Sequence, residues 1–437
     1  MDFTYKSEQN ESRNNKYIDH FNECDDSEKE MSMFFLNFST KHEKQFWDLL
    51  IQLTDEVTEF EDHISLQIIK NCLKTYQEID DFSVKIQIVK VIFHIIQISS
   101  NPLPIFQDTQ LLSLIIFAFS NKSYFQNPTV FVMLIEIFLS YLNIIQEHEN
   151  ITLPWAIELI TNINQIISST GKENPFFSSL LMISSILFEK CEVDLEFALK
   201  NCDFYLQLLP KIDILTLRHG LKIIEIILER YSNIYEILIK SPIFPFLLSI
   251  SQQNIVYNVR YICNILTPAI GKYIDANDLI KIELNDQKNI IQCLLPNFQM
   301  IDAESALSIS NLLVALCENS FEACRILTEC GFFHCLNFFQ LGYETQKNVL
   351  KITNLIYKNH SIPTDKITLR FIFTLVIKFF DSSDELEIIM ALEITPTIID
   401  NNNQIEEELF NRLEELSLNE NERISYHAKS ILNLIPS

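Results

Sequence analysis

Four cysteines and a histidine crowd one stretch of this chain: Cys317, Cys324, Cys330 and Cys335, with His334. Thiolates and imidazole hold zinc when their spacing pre-sets a tetrahedron, usually through a Cys-x-x-Cys knuckle. The intervals here are 7, 6 and 5 residues. They contain no knuckle, and all five residues fall in predicted helices at mostly apolar positions. Core packing is the expected role, and no metal or cofactor is expected. Elsewhere there is no HExxH, and the acid pairs Glu406–Glu408 and Glu414–Glu415 sit among Asn and Gln as solvated helix faces. No residue is expected to be catalytic, and the chain is read as a non-enzyme.

The second chemistry on offer is non-covalent recognition. Lys347, Lys351, Asn354 and Lys358 recur at i, i+4, i+7 and i+11, which puts them on one helix face. A similar stripe holds Tyr257, Arg260, Tyr261 and Asn264. Another holds Tyr426, Lys429 and Asn433, and Glu304 and Ser308 join Asn311. Aromatic residues and Arg are enriched where binding energy concentrates. These thirteen positions, Lys358 aside, form the candidate partner-binding groove. Locally basic and aromatic, it suits an acidic or phosphorylated extended peptide.

Such stripes need helices to carry them. The 437 residues include only five glycines, at 171, 220, 271, 331 and 342. Tight hairpins, phosphate loops and nucleophile elbows need glycine, because it alone takes positive φ without steric cost. No pair of these glycines makes GxGxxG, GxxxxGK[ST] or GxSxG. Rossmann, P-loop and α/β-hydrolase folds are thereby excluded. From about residue 42 apolar residues recur at i, i+3, i+4 and i+7, with breaks at Asn101–Pro104, Asn127-Pro128, Gly171–Pro175, Pro210, Ser241-Pro242 and Ser361–Pro363. The clearest helix is Ile214 to Arg230. Leu215, Ile223, Ile226 and Ile227 are expected in its core face, and Arg218, Lys222, Glu225 and Glu229 on its polar face.

The helices repeat. FEACRILTECGFFHCLNFF (321–339) and IYEILIKSPIFPFLLSIS (234–251) each read as a short helix, a break and a second helix, and a longer third helix follows both. Asn264, Asn311, Asn354 and Asn433 share a register in those third helices. Equivalent positions fall near His94, Ser140, Ser185, Glu225 and Thr395, at steps of 38 to 47 residues that average about 42. A single triplet cannot bury its apolar face, so stacking must make one continuous core. The expected fold is all-α, a right-handed α-solenoid (an α-α superhelix) of about nine armadillo/HEAT-like repeats over 31–437. The repeat is clearest from about residue 232, and 150–190 looks HEAT-like.

Residues 303–359 resemble the armadillo repeat family, nearest in pattern to importin-alpha-like proteins. The motif elements are Ile309-Ser310-Asn311-Leu312, then Cys330-Gly331, a second helix over Phe332–Phe339, and Ile352-Thr353-Asn354-Leu355. The resemblance implies a concave groove lined by third helices, whose asparagines bind the backbone of an extended peptide. The tryptophans that accompany those asparagines in importin-alpha relatives are replaced by Arg260, Leu307, Leu350 and Lys429. The first functional reading is therefore a protein-interaction scaffold or adaptor binding an extended peptide or partner helix. A divergent nuclear-import adaptor for basic cargo and a structural subunit of a larger complex stand as alternatives.

Charge and composition bound the setting. The formal net charge is −25, which repels nucleic-acid phosphates and anionic membranes, so neither is an expected partner. Residues 1–30 carry nine acids against four Lys/Arg and read as a disordered acidic tail. Its Ser27-x-x-Glu30 is read as a helix capping box before the apolar run Met31–Phe38, with an acidic phosphorylation site as the alternative. Ten cysteines without a secretory signal suggest reduced thiols, and the cytoplasm, with the nucleus second, is the expected location. The apolar stretch Val130–Ile145 is shorter than the ~20 residues that span a bilayer and reads as a core helix. A monomer is expected.

Overall fold

The computed structural model describes residues 62–99, 101–121, 127–146, 155–171, 174–231, 258–273, 284–299, 302–336, 341–359, 362–401 and 407–435, with isolated positions within 47–52 and 234–249. The 1–30 tail, its Ser27–Glu30 box, Tyr257 and most of 234–251 lie outside the described residues. Every described element is a helix; no strand occurs among the described residues. The chain divides into two units, Met1–Val193 and Asp194–Ser437.

In the first unit, α1 (Asp62–Glu78) packs on α2 (Phe82–Ile98). The short α3 (Leu103–Asp108) and α4 (Leu111–Ser120) lead to α5 (Pro128–Gln146). Then α6 (Ala156–Thr170) precedes α7 (Phe177–Lys190). Two rows result: α2, α5 and α7 pack in succession, and α1, α3, α4 and α6 form a covering row. Aromatic rings fill the space between. Phe138 lies 5.9 Å from Phe119 and 5.7 Å from Trp155, while Phe131 meets Phe176 edge-on at 5.1 Å. Fully burying one such side chain contributes about 1.5–3 kcal/mol.

Among the described helices α5 alone is long and apolar enough to cross a membrane; its window Pro128–Ile145 has a mean hydropathy of 1.9. That is longer than the stretch read from the sequence. Its packing accounts for the composition: half of the window is buried, between α2 and α7 in the row and against α4.

The second unit repeats the plan. Here α8 (Leu195–Leu208) covers α9 (Ile214–Arg230), and α10 (Val259–Tyr273), α11 (Leu284–Leu294) and α12 (Ala303–Asn319) follow. Next come α13 (Phe321–Glu329), α14 (Phe332–Cys335), α15 (Tyr343–Asn359), α16 (Lys366–Phe380) and α17 (Glu385–Ile394). The last are α18 (Pro396–Asn401), α19 (Glu407–Ser417) and α20 (Glu422–Leu432). One row runs α9, α10, α12, α15, α17, α20, each packed on the next. The covering row joins α11 to α13, α14 to α16 and α16 to α19. The register positions predicted from the repeat all lie in, or cap, the third-helix rows: His94, Ser140 and Ser185 in the first unit, Glu225 through Asn433 in the second.

Local chemistry sets the helix starts. Asp194, Asp213, Asp302, Ser320, Asp365, Asp384 and Asn421 are N-caps whose side chains accept backbone N–H groups of the first turn. Gly331, at φ 80°, supplies the left-handed residue that separates α13 from α14. Gly220 lets α9 approach the preceding turn, since a Cβ there would meet Leu209 Cδ2 at 2.8 Å. Three expectations change. The helix read as Phe332–Phe339 is the single turn Phe332–Cys335, because Leu336 leaves it with extended backbone. Leu215, expected in the core, is 71% exposed at the first turn of α9. Glu225, expected on the solvated face of that helix, is buried.

Candidate functional site

The third-helix row of the second unit carries the predicted stripes. Contacts between its helices show how the stripes are aligned. Asn258 Nδ2, just before α10, donates to the carbonyl of Ile214 on α9 at 3.0 Å. Arg260 on α10 pairs with Glu304 on α12. Tyr343 on α15 donates its hydroxyl to Glu387 Oε2 on α17 at 2.6 Å. Each contact joins residues 44 apart, so these helices run parallel with their first turns side by side.

Further along the helices the stripes form a ladder. Asn264 donates to Glu225 one helix back. Asn348 Nδ2 donates to Asn311 Oδ1 at 2.7 Å and to Ser310 Oγ at 2.9 Å. Lys351 Nζ stands 2.6 Å from Glu318 Oε1. Glu393 on α17 receives both Lys358 Nζ, at 2.7 Å, and Asn354 Nδ2, at 2.9 Å. Lys347 Nζ lies 2.8 Å from Glu387 Oε1 and 3.4 Å from Asp384 Oδ2. The predicted cations Arg260, Lys347 and Lys351 are therefore each matched by a carboxylate of a neighbouring helix. The face is of mixed charge, where the sequence suggested a basic one.

Two carboxylates respond oppositely to burial. For Glu225 desolvation dominates, so its carboxyl is held above the ordinary value despite the Asn264 hydrogen bond. For Glu387 burial also pulls upward, but Lys347, Ser382 and Tyr343 together outweigh it and hold the group ionised below its ordinary value. Glu393 behaves as Glu387 does: burial is overcome by Lys358 and Asn354.

The predicted groove residues thus separate into classes. Asn311, Glu304, Tyr426, Lys429 and Asn433 are exposed. Arg260, Tyr261, Asn264, Lys347 and Lys351 are half-buried, with the Arg260 guanidinium 5.8 Å from the Tyr261 ring centre. Ser308 and Asn354 are buried. The Ser308 hydroxyl donates to Glu304 O of its own helix at 3.0 Å, because a serine on a packed face finds the i−4 carbonyl nearest. Sequence reading missed Glu318, Asn348, Asp384, Glu387 and Glu393. Their separations from the predicted groove residues they contact run from 33 to 40 positions and in both chain directions, so a single repeat period does not identify them.

The cysteine cluster does not converge. Cys317 and Cys324 are buried, while Cys330 and Cys335 are half-buried on a cavity of about 330 Å³ with Lys288, Gln292 and Glu329. Burial pushes both of those thiols up. His334 Nε2 turns instead to Asp365 Oδ1 at 3.3 Å. Among the described residues no three His, Cys, Asp or Glu are placed to hold a metal ion.

No protein-family model matches the sequence, and no curated protein sequence matches it. Solved structures do. An engineered protein superposes with a TM-score of 0.56 at 11% identity, over 93% of this chain and 99% of that one. A chain from the structure describing a phosphorylation switch in the cadherin–beta-catenin interaction gives 0.41 at 11%, over 92% and 98%. Kap121p bound to Nup53p gives 0.36 at 10% identity, and this chain spans 46% of its length. At such identities the likeness is one of fold, and it rests on the engineered protein. The helix order, the two packed rows in each unit and the repeat register show an all-α helical-repeat fold of the solenoid kind, as the armadillo/HEAT-like pattern of the sequence led one to expect.

Proposed function

We propose that this chain is a protein-binding scaffold whose third-helix row in the second unit engages an extended peptide or partner helix. One observation carries the reading: along the row from α9 to α17, polar side chains are held by partners on a neighbouring helix. A solvated face needs no such order. A recognition surface gains from it, because side chains already fixed lose little entropy on binding. Asn311, Tyr426 and Lys429 offer exposed donors and an exposed ring along this face. We take binding, rather than catalysis, to be its role, with one copy engaging one protein partner, and neither nucleic acid nor membrane. The described cysteines are mostly buried, which fits a reducing setting such as cytoplasm or nucleus.

The second reading, an import-type adaptor for basic cargo, draws on the carboxylates. Glu304 is 70% exposed against 41% for its partner Arg260, and the chain's charge is −25. Asn264 and Asn354, however, already give their amide N–H groups to Glu225 and Glu393. Affinity isolation with the wild-type chain and with Asn311→Ala/Lys429→Ala separates the possibilities. The scaffold reading expects partners that are lost with the double variant. Retention of every partner by that variant contradicts it. Arrays of acidic and basic peptides then decide the sign of the ligand.

A further inference from the structure

The first turns of the third-helix row make an edge that is distinct from the ladder face. Asn258 with Ile214, Arg260 with Glu304 and Tyr343 with Glu387 place these turns side by side. Side chains in a first turn lean toward the helix N-terminus, because every Cα–Cβ bond tilts that way. Large apolar groups are exposed there. Leu215 is 71% and Ile214 51% exposed on α9, Leu386 63% on α17, and Tyr343 49% on α15. Tyr343 and Leu386 stand on adjacent first turns, which the Tyr343 hydroxyl joins through Glu387.

Two carboxylates flank the apolar pair at this edge. Glu344 follows Tyr343 and Glu385 precedes Leu386, and both are exposed. Neither has an ion-pair partner among the described residues, and Lys347, one turn along α15 from Glu344, is engaged by Glu387 and Asp384. Asp213, beside Ile214, is the N-cap of α9 and accepts from Leu215 and Thr216. The same pattern, an exposed apolar side chain next to a carboxylate, thus occurs at both ends of the edge.

We infer that this edge docks a basic segment of a partner protein that carries large apolar side chains, with Tyr343 and Leu386 as the apolar contact and Glu344 and Glu385 as its charge partners. Exposed large apolar groups gain from being covered. The flanking carboxylates select a segment bearing Lys or Arg and repel an acidic one. Neighbouring helices lie about 8–10 Å apart, so an extended partner advances roughly three residues per helix at about 3.3 Å each. Ile214 and Leu215 extend the contact for a longer segment. The inference is independent of the ladder face and survives if that face proves inert.

The test uses the full chain and a fluorescent probe peptide of alternating lysine and leucine, with a glutamate–leucine peptide as its counterpart, read by anisotropy. The lysine peptide is expected to bind and the glutamate peptide not. Glu344→Lys with Glu385→Lys, and separately Leu386→Ser, should each weaken binding by about tenfold or more. Glu407→Lys with Glu408→Lys, the same charge change on α19 of the covering row, should leave it unaltered. Equal weakening by both double variants would show attraction to overall charge alone and overturn the docking site. So would equal binding of the two peptides, or no effect of any edge variant. Hydrogen exchange on the wild-type chain gives a readout free of mutation: the lysine peptide should slow exchange at the first turns of α15 and α17. Slowing confined to other helices contradicts the proposal.

Discussion

The two units build the same two-row plan and differ in the side chains that cross between their helices. In the first, rings from α3, α4 and α5 meet Trp155 and Phe176 at the starts of α6 and α7, with centroids 4.8 to 6.4 Å apart. In the second, amides, ammonium groups and carboxylates cross from helix to helix on a face that water reaches. Ring packing is buried and does not respond to acid. A polar ladder adds less energy per contact but leaves groups able to exchange their partner for a ligand. On the proposed function, the second unit supplies the recognising surface.

The comparison can be broken at its apolar end first. Phe138 is fully buried and touches the rings of Phe119, Tyr141 and Trp155. Phe138→Ala should destabilise the first unit by about 3–5 kcal/mol, read from Trp155 fluorescence in urea. A loss near zero would mean the rings do not form its core.

The polar end is next. Glu387 is buried and accepts from Tyr343, Ser382 at 2.5 Å and Lys347. Glu387→Ala removes all three contacts and should cost the second unit about 1–3 kcal/mol. Acid should mimic the change. The folded-state carboxyls of Glu387, Glu393, Asp302 and Asp365 lie below their ordinary values. Their stabilisation is full above the unfolded-state value of about 4 and is lost as pH falls through the folded one. Glu225, held above its ordinary value, acts in the opposite sense and offsets part of the loss. Thermal melts from neutral to acid pH should show the transition of the second unit falling before that of the first. Transitions that fall together would remove the distinction.

Smaller effects sharpen the account. Asp365→Ala deletes the cap of α16, whose carboxylate accepts from Ile367 and Thr368 at 3.0 Å, and should cost about 1 kcal/mol. Lys351→Ala breaks a pair whose partners are both over 40% exposed and should change stability by less than about 1 kcal/mol. A larger loss there would mean that the ladder is a structural device rather than a surface available for binding.

Much of this plan was legible in the residues. Scarce glycine, helical periodicity and the Asn register led to third helices that the structure packs in rows, and proline and glycine marked breaks such as those before α5 and after α13. The cross-helix partners were not legible. Whether Lys347 meets Glu387 depends on aligning neighbouring helices to within a turn, and a period that varies from 38 to 47 residues does not fix that alignment. The same limit hid the burial of Ser308 and Asn354 and the exposure of Leu215, since one helix's periodicity does not say how far its neighbour covers its ends.

The claim that the third-helix row of the second unit is the recognition face can be tested by site-specific photo-crosslinking in cells. A photoreactive residue placed at Asn311 on that row, and separately at Glu408 on the covering row, reports which surface a partner touches. The account predicts a discrete adduct from position 311, lost when Tyr426 and Lys429 are replaced by alanine, and none from position 408. Adducts from 408 with none from 311 would contradict it.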